Sequence, residues 1–206
     1  MPYVPNRVYV SEFGSLPGDS SLLVPIATAP GHVQQRVHAV VASKFVVMDA
    51  AVYAAIGLHL LAASGWRPCL WPSKEAYEAD MVKQYGSVAE GHKWRAFQSA
   101  HQTGLAIDLQ CGGLSPDRKT IDEQKKTKLY VWLVEHMWEH GFTPYLPETW
   151  HIECRIPMAE YLSGLPGGPP DSSVSASYAS SIPTSCEHGP ENFVCEDNEC
   201  LPSPCV

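Results

Sequence analysis

The amino-acid sequence predicts an α+β protein, in which a small antiparallel sheet is flanked by helices and is followed by a disordered linker and a cysteine-rich C-terminal tail. Apolar residues between about positions 33 and 56 recur at the spacing of a helix with one buried face. In residues 105–109 apolar side chains occupy every second position, as in a half-buried strand, and residues 150–154 repeat that alternation. Residues 164–185 are rich in Gly, Pro and Ser, so they cannot form a packed core.

The first predicted helix covers residues 33–56 and ends at Gly57. Its apolar positions lie on one stripe, which predicts that this face packs on the core. The stripe consists of Val37, Val41, Phe45, Met48 and Val52. A short strand is expected at residues 58–63, and His59 on it is interpreted as a packed or hydrogen-bonded histidine.

Two further helices are expected. Ser73 is a suitable N-cap for a helix that continues to about Gln84, and residues 86–98 then form a loop. The other helix covers residues 122–140 and ends at Gly141, because a glycine readily adopts the left-handed conformation that terminates helices. Its predicted inner face consists of Tyr130, Leu133, Val134 and Met137.

Four polar side chains carry a candidate metal site. Two histidines and one aspartate, His101, Asp108 and His151, are enough to hold a zinc ion and leave its fourth position for water. Glu148 would then remain free to act as a base beside that water. A buried carboxylate without a partner is costly, and a metal ion would compensate the charge of Asp108. Gly104 allows the chain to turn, so that His101 and Asp108 can converge.

These residues resemble the zinc D-alanyl-D-alanine carboxypeptidase and L-alanyl-D-glutamate peptidase family, which acts on peptidoglycan and includes phage endolysins. The pattern S-x-H-x-x-G-x-A-x-D begins at Ser99, and E-x-W-H follows at Glu148. A third element, a Gly-aromatic-Arg sequence, resembles Gly65-Trp66-Arg67. The resemblance covers roughly residues 34–156 and implies a fold similar to that of these peptidases and of Hedgehog domains.

The resemblance also implies a function for each matched residue. His101, Asp108 and His151 would bind one zinc ion, and Glu148 would serve as general base and then as general acid. Arg67 would steady the substrate or the developing oxyanion, and substrate contacts are expected from Ser99 and Trp150. The implied substrate is a peptidoglycan stem peptide, cut at a bond flanked by D-residues. Whether the enzyme is a carboxypeptidase or an endopeptidase stays open at this point.

Two alternatives compete with this interpretation. The sequence His136-Met-Trp-Glu139-His140 fits H-x-x-E-H, an inverted zinc-peptidase signature, although a five-residue match arises by chance more often than two linked motifs. The other alternative is a non-catalytic, zinc-stabilised binding module of the same fold, as in the Hedgehog signalling domain. The presence of Glu148 favours the enzyme, because a binding module does not need that acid.

The charge distribution limits which binding partners are expected. The 206 residues carry a formal net charge of −8, and no Lys or Arg follows Arg155. Six of the 22 acidic residues lie in residues 167–206, so the preceding part of the chain is nearly neutral and nucleic acid is not an expected partner. No membrane span is expected, and the protein is predicted to be a monomer.

The predicted organisation has four parts. Residues 1–33 form an N-terminal arm, residues 34–163 the zinc peptidase core, residues 164–185 a linker and residues 186–206 a tail. Two disulfides among the four tail cysteines would suit an oxidising destination, and a second zinc bound by four thiolates is the alternative. These are Cys186, Cys195, Cys200 and Cys205.

The expected location is extracellular or at the cell wall. No signal peptide is visible at the start of the sequence, so release by lysis, as for a phage enzyme, or an incomplete start is expected.

Overall fold

The computed structural model describes residues 7–93 and 95–168, together with the backbone of residues 193–196 and 199–202. The chain divides into two units, Met1–Pro170 and Asp171–Val206. The strands of the first unit are β1 (Leu23–Pro25), β2 (Arg36–His38), β3 (Ala62–Ser64), β4 (Ala106–Leu109), β5 (Thr143–Tyr145) and β6 (Glu148–Glu153). Its helices are α1 (Val10–Phe13), α2 (Ala39–Ile56), α3 (Lys74–Tyr85), α4 (Val88–His92), α5 (Ile121–Gln124), α6 (Lys128–His136) and α7 (Met158–Ser163). The second unit contains a two-stranded antiparallel ladder of β7 (Phe193–Glu196) and β8 (Glu199–Pro202).

A four-stranded antiparallel sheet with the order β3-β4-β6-β5 organises the first unit. In its centre, the register between β4 and β6 places Asp108 directly opposite His151. On the outer side of β4, Ser64 of β3 is also paired with Asp108, so the chain from Gly65 onward leaves the sheet beside that carboxylate. A second sheet consists of β1 and β2 alone.

The core lies where α2 and the other helices cover this sheet. The alternating residues of β4 and the preceding position, Leu105, Ile107 and Leu109, are almost fully buried, as the sequence predicts. Asp108 and Ala106 on the other face of the strand are buried as well, so β4 is enclosed on both sides. Small antiparallel sheets flanked by helices confirm the predicted α+β class. The predicted disulfides or second metal site of the tail lie outside the side chains that the structure describes.

Helix α2 begins at Ala39, six residues later than the sequence predicts. Residues 36–38 pair with β1 instead, so Val37 is buried on a strand and not on a helix. The side chain of His38 then caps α2, because its Nδ1 accepts a hydrogen bond from the amide of Val40. Backbone pairing across 13 residues therefore overrides a helical apolar pattern at this position.

Three other boundaries differ from the sequence prediction. The strand expected at residues 58–63 begins only at Ala62, and the expected loop at residues 86–98 contains α4, which Ser87 caps. The helix expected at residues 122–140 is divided into α5, α6 and a terminal 3₁₀ turn, Met137–His140. Thr127 breaks it by capping α6, and Val134 on the predicted inner face is exposed. By contrast, α3 has the predicted cap at Ser73, and Gly141 is left-handed as predicted.

Within the described residues, α2 is the one helix whose length and apolar composition would allow it to cross a membrane. This is weak evidence for a span, because a core helix passes the same test. Six of its side chains are buried in the core of the first unit, which agrees with a core helix: Val40, Val41, Ala42, Phe45, Met48 and Val52.

Candidate metal centre

His101 is presented by a short 3₁₀ turn, Ala100–Thr103, immediately before β4. Ser99 caps this turn, because its hydroxyl accepts a hydrogen bond from the amide of His101 at 3.4 Å. Gly104 ends the turn with a φ of 73°, in the left-handed region that glycine favours. A side chain at Gly104 would also approach the backbone nitrogen of His38 to 3.0 Å, so the turn depends on glycine for two reasons.

The side chains of His101, Asp108 and His151 converge on one buried point. His101 Nε2 lies 3.2 Å from Asp108 Oδ1 and 3.2 Å from His151 Nδ1, and the last two atoms are 2.9 Å apart. A tetrahedral zinc ion with ligand bonds of about 2.0–2.1 Å holds its ligand atoms roughly 3.3 Å from one another. The three atoms therefore have nearly the mutual spacing that such an ion requires.

Each histidine is oriented by a hydrogen bond at its outer ring nitrogen. His101 Nδ1 donates to the carbonyl oxygen of Gly65 at 2.7 Å, and His151 Nε2 donates to Glu153 Oε1 at 3.2 Å. The inner nitrogens, His101 Nε2 and His151 Nδ1, consequently face the common centre. Metal-binding histidines in proteins are held by such outer hydrogen bonds, which fix the tautomer and the ring plane.

The electrostatics of the centre favour positive charge. Burial and the nearby Arg67 guanidinium lower the pKa of His101, which keeps its ring neutral. Burial would raise the pKa of Asp108, but the two histidines hold it well below its usual value. Burial would likewise lower the pKa of His151, but hydrogen bonds to Asp108 and Glu153 outweigh this effect and raise it to about 9. A divalent cation at the centre would compensate the negative charge of Asp108, as the proton on His151 does in the metal-free protein.

The donor set fits zinc. Two neutral imidazoles and one carboxylate are ligands of catalytic zinc sites, which use three protein ligands and keep the fourth position for water or substrate. Among the described residues, this is the one place where three side chains with metal-ligating atoms meet. The sequence motifs predict all three of them.

The other predicted site residues lie at different distances from this centre. Arg67, about half exposed at 51%, places Nη2 3.8 Å from Asp108 Oδ2. Glu148 is the first residue of β6, is partly buried, and has its Oε1 3.5 Å from Arg118 Nη2. Trp150 is buried within β6, and Ser99 serves as the turn cap described above. The structure thus brings Arg67 to the metal ligands and pairs Glu148 with a residue that the sequence motifs do not predict.

Comparison with known protein families identifies the family of this chain. The model of the VanY family, D-alanyl-D-alanine carboxypeptidase, matches residues 34–154, which is more than half of the chain. The chain belongs to the VanY family. Its members are hydrolases of the bacterial cell wall, so the resemblance identified from the sequence motifs is confirmed. No curated protein sequence matches the chain significantly.

Solved structures with a similar chain include other VanY proteins. VanYB in complex with D-alanine-D-alanine is 22% identical with a TM-score of 0.45, and the match covers 73% of this chain and 88% of that one. A second structure is a variant of VanY in complex with Zn(II), a vancomycin-resistance D,D-pentapeptidase from a VanB-type cassette. It is also 22% identical with a TM-score of 0.45, and the match covers 73% of this chain and 90% of that one. The LD-carboxypeptidase LdcB is 26% identical with a TM-score of 0.35 and covers 68% and 74%.

The rival motif, which spans the last residue of α6 and the following 3₁₀ turn, does not form a comparable site in this VanY family member. The Nδ1 atom of His136 lies 3.1 Å from Glu139 within the motif itself, and His140 stacks on Trp132. The described side chains around them provide no third converging ligand.

The cysteines near the centre are not thiolates. Burial raises the pKa values of Cys111 and Cys154 to about 12, so both remain neutral thiols at physiological pH. The exposed His59 is hydrogen-bonded to Asp49 at 2.9 Å, which agrees with its interpretation as a hydrogen-bonded residue.

Two groups that orient the metal ligands were missed by the sequence analysis. Glu153 follows His151 by two residues, so the period of the strand places both side chains on one face, and this signal was available. The carbonyl of Gly65 had no such signal, because any residue has a carbonyl and only the fold brings this one to His101.

Proposed function

We propose that this protein is a zinc-dependent peptidase that hydrolyses peptidoglycan stem peptides at a bond flanked by D-residues. The observation that carries the proposal is the convergence of His101 Nε2, Asp108 Oδ1 and His151 Nδ1, which lie 2.9–3.2 Å from one another. Hydrogen bonds at the outer ring nitrogens orient both histidines. Membership of the D-alanyl-D-alanine carboxypeptidase family supports the substrate class. It also supports a site of action outside the cytoplasmic membrane, at the cell wall.

The metal would be held by His101, Asp108 and His151, whose outer hydrogen bonds maintain the ligand geometry. A bound zinc ion supplies Lewis acidity, which polarises a carbonyl group and lowers the pKa of water toward ~7. Glu148 then accepts a proton from the attacking water and returns it to the amine of the leaving group. Arg118 contacts the Glu148 carboxylate at 3.5 Å and restricts its orientation.

Arg67 provides a fixed positive charge on the substrate side of Asp108. Its guanidinium is half exposed, so it remains accessible to a ligand while one nitrogen lies 3.8 Å from Asp108 Oδ2. A planar guanidinium suits either a peptide carboxylate or the oxyanion that develops during amide hydrolysis. Ser99 and Trp150, proposed as substrate contacts, flank the same two ligand segments.

The experiment combines metal analysis with product analysis. The purified protein is loaded with zinc and incubated with peptidoglycan and with a synthetic stem pentapeptide that ends in D-Ala-D-Ala, and released products are identified by mass spectrometry. Release of D-Ala indicates a carboxypeptidase, whereas cleavage between L-Ala and D-Glu indicates an endopeptidase. Zinc binding without any product would favour the non-catalytic binding module.

Three substitutions separate the residue roles. Glu148→Gln should retain zinc and lose activity by about 10²–10⁴-fold, the usual contribution of a general base. His151→Ala should lose zinc and activity together, and His140→Ala, the control for the rival motif, should retain both. Near-wild-type turnover of Glu148→Gln, or loss of zinc from His140→Ala, would refute this assignment.

A further inference from the structure

We propose that the start of the described chain, Arg7 and Val8, is a functional part of the metal centre and positions His151 through Glu153. This inference rests on the proposed function, because it concerns the affinity of the proposed zinc site. Residues 7 and 8 lie well before the segment that matches the VanY family model, residues 34–154. The family model therefore does not include them.

Glu153 connects the N-terminal arm to the metal centre. Its side chain is 1% exposed, and its Oε1 accepts hydrogen bonds from His151 Nε2 at 3.2 Å and Arg7 Nε at 3.0 Å. Its Oε2 accepts from the backbone amide of Val8 at 2.7 Å and from Arg7 Nε at 3.1 Å. The carboxylate thus has one partner at the metal centre and two partners on the N-terminal arm.

The contact with His151 determines which ring nitrogen faces the metal. An imidazole whose Nε2 donates to Glu153 leaves the Nδ1 lone pair free for the centre that it shares with Asp108 and His101. A carboxylate behind a metal-binding histidine also increases the basicity of the ligand. Without Arg7, the buried Glu153 carboxylate would lose the guanidinium that contacts both of its oxygens, so its orientation toward His151 would be less restricted.

The arm is itself held in place beside β6. The Arg7 guanidinium lies 4.3 Å from the ring centre of Tyr145, and the Tyr145 ring is nearly perpendicular to that of His151, with 5.8 Å between their centres. The carbonyl oxygen of Arg7 accepts a hydrogen bond from Arg155 Nη1 at 2.9 Å, and Arg155 also pairs with Glu12 of α1. These contacts fix the backbone from which Arg7 and Val8 reach Glu153.

The test measures zinc affinity of the full chain by competition with a chromophoric chelator, together with the unfolding midpoint of the metal-free protein. Arg7→Ala and the nearly isosteric Glu153→Gln should each weaken zinc binding by about 10–100-fold, the range for outer partners of metal ligands. Arg7→Lys should recover part of the loss because it retains the charge. Glu78→Gln is the matched control, since it removes an exposed ion pair with Lys74 on α3 that involves neither the arm nor Glu153, and it should leave zinc affinity within about twofold of wild type.

The outcomes separate this inference from the proposed function. If wild-type protein binds zinc and Arg7→Ala and Glu153→Gln bind it equally well, the inference is wrong and the proposed function stands. The inference is also wrong if the two variants only lower the unfolding midpoint of the metal-free protein, because the arm would then be structural alone. If the wild-type chain does not bind zinc, both proposals fail.

Discussion

Gly65 is a single residue on which the orientation of a proposed metal ligand depends. Its carbonyl oxygen accepts the hydrogen bond from His101 Nδ1, and its amide donates to Gln35 Oε1 at 2.9 Å. A Cβ atom at this position would lie 2.4 Å from the carbonyl oxygen of Arg36, so the backbone of β2 or of Gly65 would have to move. A movement of the Gly65 backbone displaces the acceptor that fixes the His101 ring.

We therefore expect Gly65→Ala to lower both zinc affinity and stability. The steric contact should cost about 1–3 kcal/mol in the free energy of unfolding, as overpacked sites generally do. Urea denaturation and zinc titration measure the two effects. Gly57→Ala is the control, because Gly57 has a φ of 71° with no atom near its missing Cβ, and it should destabilise the fold without changing zinc affinity. Unchanged zinc affinity in Gly65→Ala would contradict the role of this carbonyl.

At the scale of an element, α2 shows how a side chain decides where a helix begins. His38 is fully buried, with Nδ1 accepting from the amide of Val40 and Nε2 donating to the carbonyl of Tyr161 at 2.9 Å. The first of these hydrogen bonds requires a neutral ring, because a protonated Nδ1 cannot accept. Burial lowers the pKa of His38, more strongly than the Tyr161 carbonyl raises it. The cap of α2 is therefore expected to depend on pH.

The sign of this dependence follows from the lowered pKa. The unfolded chain binds the His38 proton more readily than the folded chain, so its contribution to stability is complete above pH ~6.5 and is lost as pH falls toward the folded pKa. His38→Asn keeps a capping side chain but does not titrate. Between pH 7.5 and 5.5, wild type should lose stability relative to this variant, by at most about 1.4 kcal/mol, which is the limit set by protonation of the unfolded chain over that range. Urea denaturation in EDTA measures it, and a difference that is independent of pH would show that His38 does not titrate on unfolding.

At the scale of the whole molecule, the chain consists of two units, and the metal centre lies entirely within Met1–Pro170. The ligands, the residues that orient them and the arm that contacts Glu153 all belong to this unit. The boundary falls within residues 164–185, where the composition predicts a linker. Nothing in the proposed chemistry requires a residue of the second unit.

We expect a chain truncated after Pro170 to fold and to bind zinc with unchanged affinity. Its activity on the synthetic pentapeptide should also stay within about twofold of wild type, since no residue of the proposed site is removed. Zinc titration and product release measure these quantities. A chain shortened instead at the N-terminus, starting at residue 9, is the informative contrast, because it lacks both partners of Glu153 and should bind zinc more weakly. Loss of zinc binding after the C-terminal truncation would show that the tail contributes to the site.

The linear sequence by itself determined the chemical identity of the site. The spacing of His101 and Asp108 around Gly104, and the E-x-W-H sequence at His151, indicate the three ligand candidates, because local turns and strand periodicity leave signals within a few residues. It also determined the α+β class, the caps at Ser73 and Gly141, and the family.

Only the tertiary structure decided how these pieces are combined. The register that sets Asp108 opposite His151, the pairing that starts α2 at Ala39, and the contact of Arg7 with a residue 146 positions away have no local periodicity. Strand register and the position of an arm depend on packing between distant segments, where many alternatives share the same local pattern. The orientation of the histidine rings was decided in this way, by a carbonyl and a carboxylate that the fold carries to them.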